Sequence, residues 1–144
     1  MKKTILAVAL VLSASLFAQT ESKSKAPKIP ANVKAAFEKA YPQVKEAKWE
    51  KETPNFEAAY TENKIKKSVV LDAKGKVLTT EYEIPKTSLS KTITDYVTKN
   101  YPSKKIKGAA KITDFNNKIT YEAQFKAMNL LFDEKGSFIK ASKD

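Results

Sequence analysis

Val69-Val70-Leu71-Asp72-Ala73-Lys74-Gly75 returns 61 residues later as Leu130-Leu131-Phe132-Asp133-Glu134-Lys135-Gly136. Each copy is an apolar run closed by Asp-x-Lys-Gly. A second signature lies upstream of each, at an offset of 60: Val33, Phe37 and Tyr41-Pro42 fall on Ile93, Val97 and Tyr101-Pro102. Two signatures at nearly one offset indicate an internal duplication. The copies span residues 29–85 and 86–144, and together they form a single domain.

Each copy opens with a helix. Val33, Ala36, Phe37 and Ala40 make one apolar stripe at helical spacing. Pro30 is tolerated in the opening turn, and Pro42 ends the segment by disfavouring helical geometry at Tyr41. In the second copy Ser88 is the expected N-cap, with Ile93, Tyr96, Val97 and Asn100 at the same spacing. A three-turn helix with one stripe is unstable alone and must lie on something apolar.

Four strand-like runs follow each helix. In the first copy they are 45–51, 56–61, 65–71 and 76–83; in the second, 106–115, 119–126, 128–132 and 137–141. Their β-branched and aromatic content and period of two fit half-buried antiparallel strands. Thr53-Pro54-Asn55, Glu62-Asn63-Lys64 and Asn116-Asn117-Lys118 are turn sequences, and Gly75 supplies the left-handed residue of a type I turn with a bulge. The fold class is therefore α+β: a tandem α-β4 repeat with both helices on one face of an antiparallel sheet, continuous or in two halves. Tyr121, Ala123, Phe125, Leu131 or its neighbours, and Phe138 are the expected core face of the second half. The other face is left to solvent and to function.

Composition narrows the function. Residues 1–18 have a charged start at Lys2 and Lys3, an apolar centre and a small-residue approach to Ala18/Gln19, the pattern of a cleaved secretory signal. The apolar run is shorter than the roughly 20 residues a membrane span needs, so no stable membrane insertion is expected after cleavage. Without cysteine no lipid anchor forms there, and the expected location is the periplasm. Residues 19–28 are polar and aperiodic, a disordered lead-in. The mature chain carries 25 lysines against 16 acids, a net charge of +9, with no arginine. Arginine is favoured for bidentate phosphate and base contacts, so the charge speaks for solubility and against nucleic acid as a partner.

The chain has neither histidine nor cysteine. That removes Ser-His-Asp and Cys-His nucleophilic sites, the usual zinc ligands and the commonest general base. There is also no Gly-rich phosphate loop, so no catalytic residue, cofactor or metal is assigned, and the chain is read as a non-enzyme. The carboxylate pairs Glu50/Glu52 and Glu81/Glu83 each lie on one face of a strand and are read as a solvated surface balanced by lysines. The Asp-x-Lys-Gly turns have lysine where a calcium loop needs a second acid, so turn chemistry explains them. Trp49, Tyr60, Tyr82 and Tyr121 are the candidate partner-binding residues. Facing the open side, they would form an aromatic and lysine surface of the kind enriched at protein interfaces. A one-residue slip of register swaps the faces, so either face remains open to them.

The ensemble resembles the PepSY-like, β-lactamase-inhibitor-like family of periplasmic proteins. The residues that carry the resemblance are Phe37-Glu38-Lys39-Ala40-Tyr41-Pro42, Ala47-Lys48-Trp49-Glu50, Phe56-Glu57-Ala58 and Val70-Leu71-Asp72-Ala73-Lys74-Gly75-Lys76. The second copy adds Tyr101-Pro102, Tyr121-Glu122-Ala123 and Leu131-Phe132-Asp133-Glu134-Lys135-Gly136. The resemblance implies a concave sheet surface that, in the inhibitor, clamps a target enzyme. It departs from the pattern where Ala109 to Lys111 stand opposite Trp49. The expected function is an exported binding module for a protein or peptide partner in the envelope, with enzyme inhibition as one form of it; the alternative is a calcium- or anion-binding envelope protein.

Overall fold

The computed structural model describes residues 27–143, so the signal-like segment and residues 19–26 of the lead-in lie outside it. The chain runs α1 (Ala31–Ala40), β1 (Lys48–Glu52), β2 (Asn55–Glu62), β3 (Ile65–Leu71), β4 (Val77–Ile84), then α2 (Lys91–Asn100), β5 (Gly108–Asp114), β6 (Ile119–Gln124), β7 (Met128–Asp133) and β8 (Phe138–Lys143). The eight strands form one antiparallel sheet in the order of the sequence. Of the two arrangements open to the sequence, the continuous sheet is the one adopted.

Both helices lie on the same face. Val33 and Phe37 of α1 pack with Phe56, Ala58, Val69 and Leu71. Ile93 and Val97 of α2 pack with Leu89, Ala109, Ala123, Phe125, Leu130 and Phe132. Strand register joins these two sets on one side, through the pairs Trp49–Ala58, Ala58–Val69, Ala109–Ala123 and Ala123–Leu130. Burying each large apolar side chain contributes about 1.5–3 kcal/mol, which outweighs anything a ten-residue helix gains alone.

The Asp-x-Lys-Gly block is the joint between hairpin and helix. Asp72 Oδ1 accepts the N–H groups of Lys74 and Lys76, and Asp133 Oδ1 those of Lys135 and Ser137. Gly75 and Gly136 take φ of +84° and +85°, values that favour glycine. A β-carbon on Gly75 would stand 2.6 Å from Ala36 Cβ, and one on Gly136 would stand 2.9 Å from Ser90 Oγ. The glycine thus permits the turn and lets the helix approach it. Each hairpin carries its bulge at the same place, Val70/Leu71 and Leu131/Phe132.

One local expectation needs correction and another is narrowed. The N-cap of α2 is Ser90, whose Oγ accepts from Ile93 N, while Ser88 closes a 3-10 turn over Lys86–Ser88. Leu89 explains the shift: it stays extended to insert into the core before the helix begins. In β7 it is Leu130 and Phe132 that face the helices; Leu131 lies on the opposite side.

Candidate functional site: the helix-free sheet face

Register decides which side chains share the face opposite the helices. One cross-strand row reads Lys48, Ala59, Ser68, Glu81, Ile112, Thr120; its neighbour reads Glu83, Ala110, Glu122, Leu131, Lys140. A third begins with Glu50 opposite Glu57 and continues through Val70 and Thr79. Among the described residues no helix or strand lies over this face.

Its centre is withdrawn from solvent. Glu57 is 4% exposed, Glu81 3% and Glu122 0%, with Val70 and Ala110 at 0% beside them. The carboxyls sit on an apolar floor within reach of one another. Burial pushes the Glu81 carboxyl well above its usual range, and the charges of Glu122, Glu57, Glu52 and Glu83 push the same way. Glu52 is raised to about 7, first by burial and then by Glu57 and Glu50. Glu57 is raised by burial against the opposing pull of the Ser68 hydroxyl.

The lysines go elsewhere. Lys48 pairs with Glu50 at 2.8 Å, Lys66 with Glu83 at 3.2 Å, Lys67 with Glu62, and Lys91 with Asp95 at 2.6 Å. Among the described residues no ion pair reaches Glu52, Glu57 or Glu81, and neither Glu81 oxygen has a hydrogen-bond partner. Glu122 Oε1 accepts from Gln124 Nε2 at 3.0 Å. A cleft of about 440 Å³ adjoins this face at one end of the central strands, lined by Lys66, Glu83, Lys107, Gln124 and Asn129 among others. Among the described residues no group of three or more acidic side chains is arranged to hold a metal ion.

The aromatic candidates lie on the other side of the sheet. Tyr60, Tyr82 and Tyr121 share one row with Lys67 and Lys111 between them, running on to Phe132 and Phe138. Trp49 and Tyr60 pack on Phe37 of α1, with ring centroids 5.3 and 5.9 Å away. Tyr121 is partly buried against the α2 core, and Tyr82 is 36% exposed. Three of the four are therefore brought together, on the face that carries the helices.

The carboxyls of the helix-free face were visible in the sequence only as pairs. Glu50/Glu52 and Glu81/Glu83 were recognisable from spacing, but Glu57 and Glu122 were not singled out. Their signal is the repeat itself: Phe56-Glu57-Ala58 and Tyr121-Glu122-Ala123 place a glutamate between two residues that face the helices.

No protein-family model matches the chain, and no curated protein does. Solved structures do match its fold. A periplasmic protein from Bacteroides eggerthii superposes with a TM-score of 0.69 at 12% identity, over 81% of this chain and 90% of its own. A DUF2874 family protein from Bacteroides uniformis gives 0.67 at 16% identity, over 79% and 88%. A BLIP-like protein from Bacteroides fragilis gives 0.57 at 19%, over 81% and 87%. The fold is BLIP-like. At these identities the likeness concerns the fold alone, which hosts unrelated functions. Among the described residues no helix is long and apolar enough to cross a membrane.

Proposed function

We propose that this chain is a non-catalytic, exported periplasmic module that holds a protein or peptide partner on the helix-free face of its sheet. One observation carries this reading: an eight-stranded face without a helix on it among the described residues combines an apolar floor with buried carboxyls, of which Glu81 has no ion pair or hydrogen bond there. The apolar floor suits the centre of a protein interface, and the carboxyls, a type depleted at such centres, call for a basic complement on the partner. The resemblance to PepSY-like and inhibitor-like periplasmic proteins supports the same class of function, with the target enzyme unspecified.

A second reading places the contact on the helix side, where Trp49, Tyr60, Tyr82 and Tyr121 lie. The alternation of Tyr60, Lys67, Tyr82, Lys111 and Tyr121 along one row favours it. Calcium binding has less support, because the Oδ1 atoms of Asp72 and Asp133 each already accept two backbone N–H groups of their own turns.

The absence of cysteine makes a direct test available. Single cysteines at Thr120, on the helix-free face, and at Thr113, on the helix side, carry a photo-cross-linker in the chain from Gln19 onward, incubated with envelope extract. A partner linked from Thr120 and not from Thr113 supports the first reading. Linkage from Thr113 alone transfers the site to the Tyr82 row, and no adduct from either position sinks both.

A further inference from the structure

The carboxyl-lined floor has an unmet electrostatic requirement. Glu81 is 3% exposed, stands among Glu52, Glu57, Glu83 and Glu122, and offers two oxygens with no hydrogen-bond donor. An ionised carboxylate held in that way is costly unless a cation or donors reach it. The chain has lysines in excess, yet its ion pairs with this face stop at the margin, at Lys48–Glu50 and Lys66–Glu83. A cationic group brought by a ligand would let Glu81 give up its proton and ionise in place.

A second buried group narrows the chemistry. Asn129 on β7 is 2% exposed, and its Nδ2 donor has no acceptor. By register it lies on the same face, three strands from Glu81 and four residues along from the Glu81 row, about 14 Å across the sheet and about 13 Å along it, so a ligand reaching both runs diagonally. A donor seeking an acceptor and a carboxylate seeking a cation, joined by the apolar floor of Ile112, Ala110 and Leu131, match an extended peptide. Its backbone carbonyls suit Asn129 and its basic side chain suits Glu81. A free diamine has no acceptor for Asn129 and no apolar flanks for the floor. Among the described residues the acids are not grouped to hold a metal ion.

We infer that the helix-free face binds an extended protein segment that places a lysine or arginine side chain over Glu81 with apolar residues on either side. This rests on the reading of that face as the binding surface. Charge supplies the selectivity: the face rejects acidic segments and, on a chain of net charge +9, is the place where a basic one is welcome.

The probes are the acetylated, amidated heptapeptide Ala-Val-Lys-Val-Ala-Val-Ala, its norleucine and glutamate analogues at the third position, and 1,5-diaminopentane. Binding to the chain from Gln19 is followed by calorimetry and by backbone amide shifts. The expected result is a lysine peptide at least ten-fold tighter than the norleucine one, with shifts at Ser68, Ile112 and Thr120, and a diamine at least ten-fold weaker. Glu81→Gln keeps the side-chain shape and should bring the lysine-to-norleucine ratio below three-fold, with amide spectra confirming that it folds. Equal binding of the norleucine peptide to wild type overturns the cationic assignment and leaves the face as an apolar dock. A diamine as tight as the peptide overturns the peptide occupant. No shift from any probe, with a partner still linked from Thr120, refutes this inference alone; no shift and no linkage refute both.

Discussion

The two repeats share one turn and differ at their first strand. In both, an aspartate organises the hairpin and a left-handed glycine touches the helix. In the first repeat β1 is a sheet edge and carries Trp49, stacked edge-on to Phe37. In the second, β5 is paired on both sides, and the position corresponding to Trp49 is Ala109, 1% exposed beneath α2. The far edge mirrors the first: Phe138 on β8 stacks with Tyr96 at 4.9 Å. At the first strand of each repeat, a large ring closes the core where the sheet stops and alanine serves where it continues. A duplicated block diverges where its neighbours differ.

The largest test of that contrast is truncation of the equivalent helix residues. Phe37→Ala should cost about 3–5 kcal/mol, because it empties the centre of the Tyr41, Trp49 and Tyr60 cluster. Val97→Ala removes two carbons from a core built on smaller groups and should cost about 1–2 kcal/mol. Urea unfolding of the two variants measures both, and equal losses would mean that the aromatic edge contributes nothing special.

A smaller difference is expected at the turns. Gly75→Ala meets Ala36 Cβ at 2.6 Å on a helix that has no rotamer to retreat into. Gly136→Ala meets the Ser90 hydroxyl and the Thr92 and Ile93 side chains, all of which have some freedom. Both also suffer the left-handed backbone. The expected losses are about 2–3 kcal/mol and about 1–2 kcal/mol respectively. A reversed order in thermal melts would show that backbone strain, and not the helix contact, sets the cost.

The last comparison sets the two faces of the sheet against each other. Glu52, with a folded pKa of about 7, stays protonated in the folded chain where the unfolded chain has already ionised at about 4.3. Glu57 and Glu81 shift in the same direction. The folded state therefore binds more protons, and its stability should fall as pH rises from about 4.5 through about 7. The limiting slope is about 1.4 kcal/mol per pH unit for each carboxyl, less for Glu52, which water screens. Glu81→Gln should flatten this dependence and raise Tm at pH 8, whereas Tyr82→Ala on the opposite face should leave the slope unchanged. A Tm that climbs between pH 5 and 8 would contradict the burial of these acids.

Much of the fold was legible because its signals are local. The Asp-x-Lys-Gly turns, the Tyr-Pro helix stops and the run at 65–71 survive intact as elements. Helix α2 began later than Ser88 because Leu89 answers to the core, a tertiary demand invisible to capping rules. The site was harder. Whether Glu81 or Tyr82 faces the helices depends on a register shared by eight strands, and period-two alternation marks two faces without saying which one a helix covers. The balancing lysines expected beside the paired acids exist at the margins but not at Glu81, and ion-pair geometry is not encoded in composition.

Every strand pairs only with its neighbours in sequence, from β1 to β8. Pairing of this kind closes short loops at each step and gives the low contact order associated with rapid folding for a sheet of this size. For a chain made from its N-terminus, the order of appearance is then also the order in which neighbouring strands can pair. Strands β1 to β4 and helix α1 form a half-sheet whose β4 edge is the template on which β5 docks.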